Sequence, residues 1–131
     1  MKLIIAGSRT FRDIDLVNKY IESGVNRLGK PVSEVVSGTA RGVDKIGEMW
    51  ASTFNLPVKR FPADWSLGKV AGILRNRRMA EYADAAIVLI QSNSSGSSNM
   101  AHVMLELGKP CVVFKFVGPY EVACLVDGEQ L

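Results

Sequence analysis

Short runs of consecutive apolar residues alternate along this chain with stretches whose apolar residues recur every three or four positions, and small polar turns join the two. That alternation is the strongest constraint on the fold. A continuous apolar run suits a strand covered on both faces, as in a parallel sheet. A spacing of three and four makes a single apolar stripe on a helix. Strands are expected at Leu3-Ile4-Ile5-Ala6, Glu34-Val35-Val36, Val58-Lys59-Arg60-Phe61, 85–90 and Cys111-Val112-Val113-Phe114, the third at an edge because its polarity alternates. The first helix takes Asp13 as its N-cap, buries Ile14, Val17, Ile21, Val25 and Leu28, and stops at Gly29-Lys30-Pro31. The second is expected to bury Val43, Ile46, Trp50 and Phe54, with Asp44, Lys45 and Glu48 on its other face. A third helix from Val70 to Tyr82 points Leu74 and Ala80 inward. A fourth buries Met100, Val103, Met104 and Leu107 and closes at Gly108.

Strands alternating with helices imply right-handed crossovers and an open sheet. The expected fold is α/β: one Rossmann-like, three-layer α/β/α domain over residues 1–131, with a mainly parallel five-stranded sheet in the order 3-2-1-4-5. Its core covers about residues 1–115. The tail, 116–131, is expected to pack loosely or to serve an oligomer. This strand order opens a crevice between strands one and four, at the edge where the strand-to-helix turns emerge.

The turns at that edge are Gly7-Ser8-Arg9-Thr10, Ser37-Gly38-Thr39-Ala40-Arg41-Gly42, Pro62-Ala63-Asp64-Trp65 and the Ser/Asn/Gly stretch 92–99. Unpaired N–H groups at helix N-termini attract anions, and Gly or Ser lets a phosphate approach. Gly7 permits a tight turn, Ser8 offers a hydroxyl and Arg9 a bidentate clamp. The Gly38–Gly42 turn is neither a Walker loop nor a dinucleotide fingerprint. Asp44 follows in the first turn of the helix, where it serves the macrodipole, a ligand hydroxyl or catalysis. Trp65 can stack on a base and Asp64 can accept a hydrogen bond from a sugar or base, or the pair can be a packed tryptophan beside a capping aspartate. Ser95, Gly96, Ser97 and Ser98 open the fourth helix as a phosphate cradle. His102 has a structural or solvent-facing place there. The basic residues Lys69, Arg75, Arg77 and Arg78 crowd the third helix, as a solvated face or an anion site.

Composition narrows the function classes. A net charge of +3 is too small to argue for nucleic acid by itself. A single histidine excludes a multi-histidine metal site, and the two cysteines, Cys111 and Cys124, have neither metal nor redox spacing. No metal site is legible and no cofactor is required, though Mg²⁺ accompanying a bound phosphate is compatible with these motifs. No apolar run is long enough to span a bilayer and no secretory signal is visible, so the expected location is cytoplasmic.

Together the motifs resemble the SLOG superfamily, in particular its YspA-like, cpYpsA-related branch. The residues that carry the resemblance are Gly7-Ser8-Arg9-Thr10-Phe11, Ser37-Gly38 with Ala40-Arg41-Gly42-Val43-Asp44, and Pro62-Ala63-Asp64-Trp65, followed by Ala71-Gly72, Arg75-Asn76 with Met79, Ala83-Asp84, and Ser95-Gly96-Ser97 with Met100. The resemblance implies a Rossmann-like fold that recognises nucleotides or nucleotide-derived signals. It assigns phosphate contacts to Gly38, Arg41, Gly42, Gly96, Ser97 and Ser98, completes the pocket with Ser8, Arg9 and Arg75, and makes Asp44 and Asn76 polar supports. It also implies, by analogy, a homo-oligomer, a dimer in the first instance.

Three activities occur in that superfamily: sensing, hydrolysis of the N-glycosidic bond of nucleoside monophosphates by LOG-type enzymes, and DNA binding by DprA proteins. LOG-type enzymes carry a catalytic glutamate in a Gly-Gly-x-Gly-Thr-x-x-Glu element, and Met100 stands at that position here. A thioether neither attacks an anomeric carbon nor exchanges a proton, so any chemistry falls to Asp44, Asp64 or Glu106. The leading expectation is therefore a nucleotide-binding sensor or sequestering module. The alternatives are a nucleotide N-glycosidase using Asp44 or Asp64, and, disfavoured by charge and by the lack of an aromatic platform, a single-stranded nucleic-acid binder.

Overall fold

The computed structural model describes residues 1–91, 95–117 and 121–126, with side chains described for 1–91 and 98–116. The elements run β1 (Lys2–Gly7), α1 (Ile14–Leu28), β2 (Glu34–Ser37), α2 (Val43–Thr53), β3 (Val58–Arg60), a 3-10 segment (Trp65–Val70), α3 (Ala71–Tyr82), β4 (Ala85–Gln91), α4 (Ser95–Glu106), β5 (Cys111–Val117) and β6 (Glu121–Val126). Five strands are parallel in the order 3-2-1-4-5. The sixth is antiparallel and pairs with β5, from Val112↔Val126 to Val117↔Glu121. The tail thus corrects the expectation of loose packing: residues 121–126 extend the sheet and cover the β5 edge, which removes a row of unpaired backbone groups.

Strand burial explains the continuous apolar runs. Leu3, Ile5, Ile87, Leu89, Val112 and Phe114 face a core layer shared with α1 and α2. Ile4, Val36, Ala86, Val88, Ile90 and Val113 face the opposite layer with α3 and α4. Cys111 is buried in that second layer.

Helix ends follow the sequence signals. Asp13 Oδ1 accepts from Leu16 N at 3.1 Å, and Gly29 closes α1 at φ 70°. Gly108, at φ 67°, lies two residues beyond α4. Three apolar residues expected inside are outside. Ile14 sits on the first, open turn of α1, Phe54 lies past the end of α2 and stacks on Trp50 at 4.9 Å, and Leu74 is 48% exposed. The inner face of α3 is instead Ala71, Asn76, Met79 and Ala80. A buried polar residue, Asn76, occupies the stripe, which is why apolar spacing alone misplaced Leu74. No helix among the described residues is long and apolar enough to cross a membrane.

Candidate functional site

The C-terminal ends of β1 and β2 lie side by side, and the turns that leave them interlock. Gly42, at φ 75°, packs against the backbone of Ser8 and Arg9, so a Cβ there would collide with the Ser8 carbonyl. Val43 N donates to that carbonyl at 3.4 Å. Gly7 is pinned between the Leu89 carbonyl and Val43. These glycines serve the approach of one loop to another. Ser8 is likewise buried: its hydroxyl accepts from Gln91 N at 2.9 Å and its amide donates to Leu89 at 3.0 Å, tying the end of β1 to the end of β4.

Where the turns meet there is a cleft of about 240 Å³ lined by Arg9, Gly38, Thr39, Ala40, Arg41, Trp65 and Arg75. Four separate segments supply it. Arg9 leaves β1, Gly38 to Arg41 leave β2, Trp65 leaves β3, and Arg75 reaches across from α3. The Arg9 guanidinium lies 5.6 Å from the centroid of the Trp65 ring, a cation–π distance that forms one wall. Trp65 is 59% exposed, so much of its surface stays open to solvent.

Arg75 is fixed from two sides. It donates through Nη1 to the Gly38 carbonyl and through Nε to Asn76 Oδ1 at 3.0 Å, while Asn76 Nδ2 donates to Asn99 Oδ1 at 3.1 Å on α4. Burial draws its guanidinium below the usual arginine range, the neighbouring Asp44 carboxylate opposes that shift, and Arg9 adds to it. Arg41 is exposed. Thr39 takes the left-handed conformation at φ 65°, rare for a residue with a Cβ, and its amide donates to Ser37 Oγ at 3.1 Å.

Asp44 corrects the surface reading of α2. It is 4% exposed and lies beneath the Gly38–Gly42 turn, with Oδ2 accepting from Ala40 N at 3.2 Å. A Cβ on Gly38 would stand 2.8 Å from that oxygen. Burial raises its pKa to about 6, against the lowering effects of the Ala40 amide, Arg75, the Gly7 amide and Arg9. Glu48 is also drawn in from the outer face: it accepts from Ser37 Oγ at 2.7 Å and pairs with Arg60 at 3.0 Å.

Of the residues anticipated from sequence, Arg9, Gly38, Arg41, Trp65 and Arg75 share the cleft, and Gly7, Ser8, Gly42, Asp44 and Asn76 build its frame. Asp64 stands apart from its lining. It is exposed and caps the 3-10 segment, with Oδ1 accepting from Ser66 N at 3.1 Å, and its bonds to Ser66 hold its pKa below the usual carboxylate value. Ser98 is half-buried. The side chains of Ser95 and Ser97, and the surroundings of Gly96, lie outside the described residues. Thr39 and Ala40 were missed as lining residues, because nothing in their type marks them apart from the motif around them. Asn99 was missed because its role depends on a partner 23 residues away in α3. Met100, 1% exposed, lies in the α3–α4 core layer, and Glu106 is held on the outer surface by Arg77 at 3.1 Å. His102 is exposed. Among the described residues, no three of His, Cys, Asp or Glu gather as a metal-holding group.

Interlocked turns at the parallel sheet edge, an arginine from α3 crossing to the second turn and a buried aspartate beneath it are the structural counterpart of the sequence motifs. The family model described as "YspA, cpYpsA-related SLOG family" matches residues 1–68. The chain belongs to that family. It is also similar to the Gene 61 protein of Mycobacterium phage D29, with 31% identity over 120 residues, covering 86% of this chain and 95% of that protein. Among solved structures, the DNA processing protein A (DprA) of Streptococcus pneumoniae shares the fold, with a TM-score of 0.67 at 20% identity. The match covers 91% of this member of the SLOG family and 51% of the DprA chain, so this chain spans about half the length of that neighbour. Family and fold fit the binding of a nucleotide or a nucleic acid.

Proposed function

We propose that this SLOG protein binds a nucleotide or nucleotide-derived ligand as a sensor or sequestering module, with an anionic group held by arginines and a flat ring set against Trp65. The observation that carries this reading is the convergence of Arg9, Arg41 and Arg75 with Trp65 on one cleft from four separate segments. Guanidinium forks suit phosphate oxygens, and an exposed indole suits a base. A compact cleft of about 240 Å³ matches part of a mononucleotide better than it matches the groove along a strand. The placement of the candidate residues speaks against the hydrolase reading: the thioether of Met100 is in the core, and of the carboxylates Asp64 is a helix cap, Glu106 is on the outer surface and Asp44 lies under the loop.

Calorimetric titration with a panel of nucleoside monophosphates and NAD-derived compounds tests the reading, with chromatography of each mixture for released base. Saturable binding without base release is expected. Arg41→Ala should weaken it about ten- to a hundred-fold, the worth of a hydrogen bond to a charged group. Unchanged affinity in that variant, or stoichiometric base release by the wild type, contradicts the proposal. Steeply salt-dependent binding to oligonucleotides in place of mononucleotides would favour the nucleic-acid reading.

A further inference from the structure

The Ser37–Gly42 turn has the look of an anion cradle, yet side chains already use two of its donors. Ala40 N gives its hydrogen to Asp44 Oδ2 at 3.2 Å, Thr39 N gives its own to Ser37 Oγ at 3.1 Å, and the Gly7 amide of the neighbouring turn favours the Asp44 carboxylate. The carboxylate thus takes up an amide donor that an anion would otherwise use, behind Gly38 and beside Arg75. We propose that Asp44 is a tethered anion that competes with the ligand, from behind the cleft wall, for the charge of the cleft arginines, so that neutralising it strengthens the binding of anions. This inference rests on the reading of the cleft as the ligand site and adds a selectivity to it: with Asp44 ionised, three guanidiniums line the cleft and one carboxylate lies behind it, a balance suited to a dianion.

Two arguments support a competing role over a merely structural one. Its burial leaves Asp44 no path to a ligand's hydroxyl, since 4% of it is exposed and it does not line the cleft. The charges that act on it are the same arginines that face the cleft: Arg75 from α3 and Arg9 from the turn after β1, with Arg41 in the turn above it. An arriving anion and the Asp44 carboxylate therefore draw on the same cations. The titration of Asp44 near pH 6 makes the competition pH-dependent. A bound anion raises that value further, so binding takes up a proton, and affinity increases as pH falls through the bound-state pKa, levelling off below about 6.

Sulfate is the appropriate probe, because it remains a dianion throughout the range and its own titration does not intrude. Titrating wild type with sulfate from pH 8 to pH 5 should give an affinity roughly ten-fold higher at the acid end, the scale of one unit charge acting across the cleft. Asp44→Asn should bind sulfate about ten-fold more tightly than wild type at pH 8 and show no such rise. The comparison with the variant cancels the contribution of every other group, and Asp44→Ser serves as a second neutral replacement. The wild-type pH series needs no variant at all. A flat wild-type profile, or weaker binding in both variants when circular dichroism shows them folded, overturns the inference. Arg9→Ala and Arg41→Ala separate the two levels. If sulfate binding ignores both, the cleft reading fails; if it needs them but does not vary with pH, the Asp44 inference alone fails.

Discussion

Replacing Asp44 by asparagine should stabilise the unliganded protein at neutral and alkaline pH. The carboxylate is nearly inaccessible, and burial outweighs the amides and arginines around it, raising its pKa from 3.8 to about 6. A raised folded-state pKa means that the native protein binds more protons than the unfolded chain between about pH 4 and 6. Stability therefore falls as pH rises through that window and stays low above it. Two units correspond to about 3 kcal/mol at pH 8, an upper figure, since the amide must still accept from Ala40 and loses attraction to Arg75. Asp44→Asn should thus gain about 1–3 kcal/mol at pH 8, and the gain should shrink through pH 6 and vanish near pH 4. Urea unfolding of both proteins at pH 8, 6 and 4.5 measures it as a midpoint shift of roughly 1 M. Taking the difference removes Asp64 and Asp84, whose lowered pKa values act in the opposite direction at acid pH. A variant less stable than wild type at pH 8, or a difference independent of pH, would show that the ionised carboxylate is not a cost to the fold.

Two further substitutions test the frame of the site. Gly42→Ala should destabilise by about 2 kcal/mol or more, because φ 75° strains an L-residue and the new Cβ meets the Ser8 carbonyl; a thermal melt within a degree of wild type would contradict this. Lys109→Met should cost about 1–2 kcal/mol, since Nζ donates to the carbonyls of Ala80 at 2.8 Å, Glu81 at 3.0 Å and Ala83 at 2.8 Å at the end of α3. Urea unfolding should show that loss with ligand affinity unchanged, and an undiminished midpoint would refute the capping role.

The parallel sheet was legible in sequence because strands buried on both faces leave continuous apolar runs, and β1 and β4 are such runs. Alternating elements and crossover handedness implied an open parallel sheet, and 3-2-1-4-5 was the preferred order among those they allow. Strand β6 was not legible. Its pairing depends on an edge offered by β5, and although Gly118-Pro119 is a turn signal, Glu121 to Val126 lack the alternation that marks a strand in isolation. In the site, Arg9, Arg41 and Trp65 were found because each follows a strand at the edge where turns gather. The place of Asp44 was not, because a helical position in the first turn faces either way until the Gly7 and Gly38 turns close over it. The packing roles of Gly7 and Gly42 were not legible for a related reason. Small residues admit a phosphate and a neighbouring loop equally well, and only packing shows which of the two is present.

The central claim is that one cleft joins Trp65 to the arginines of three other segments. Trp65 fluorescence during titration with adenosine 5′-monophosphate tests it most directly, in a Trp50→Phe background so that the exposed indole alone reports. The account predicts a saturable change in Trp65 emission that is lost in Arg9→Ala and Arg41→Ala. Emission that stays constant while calorimetry detects binding would place the ligand elsewhere and contradict the account.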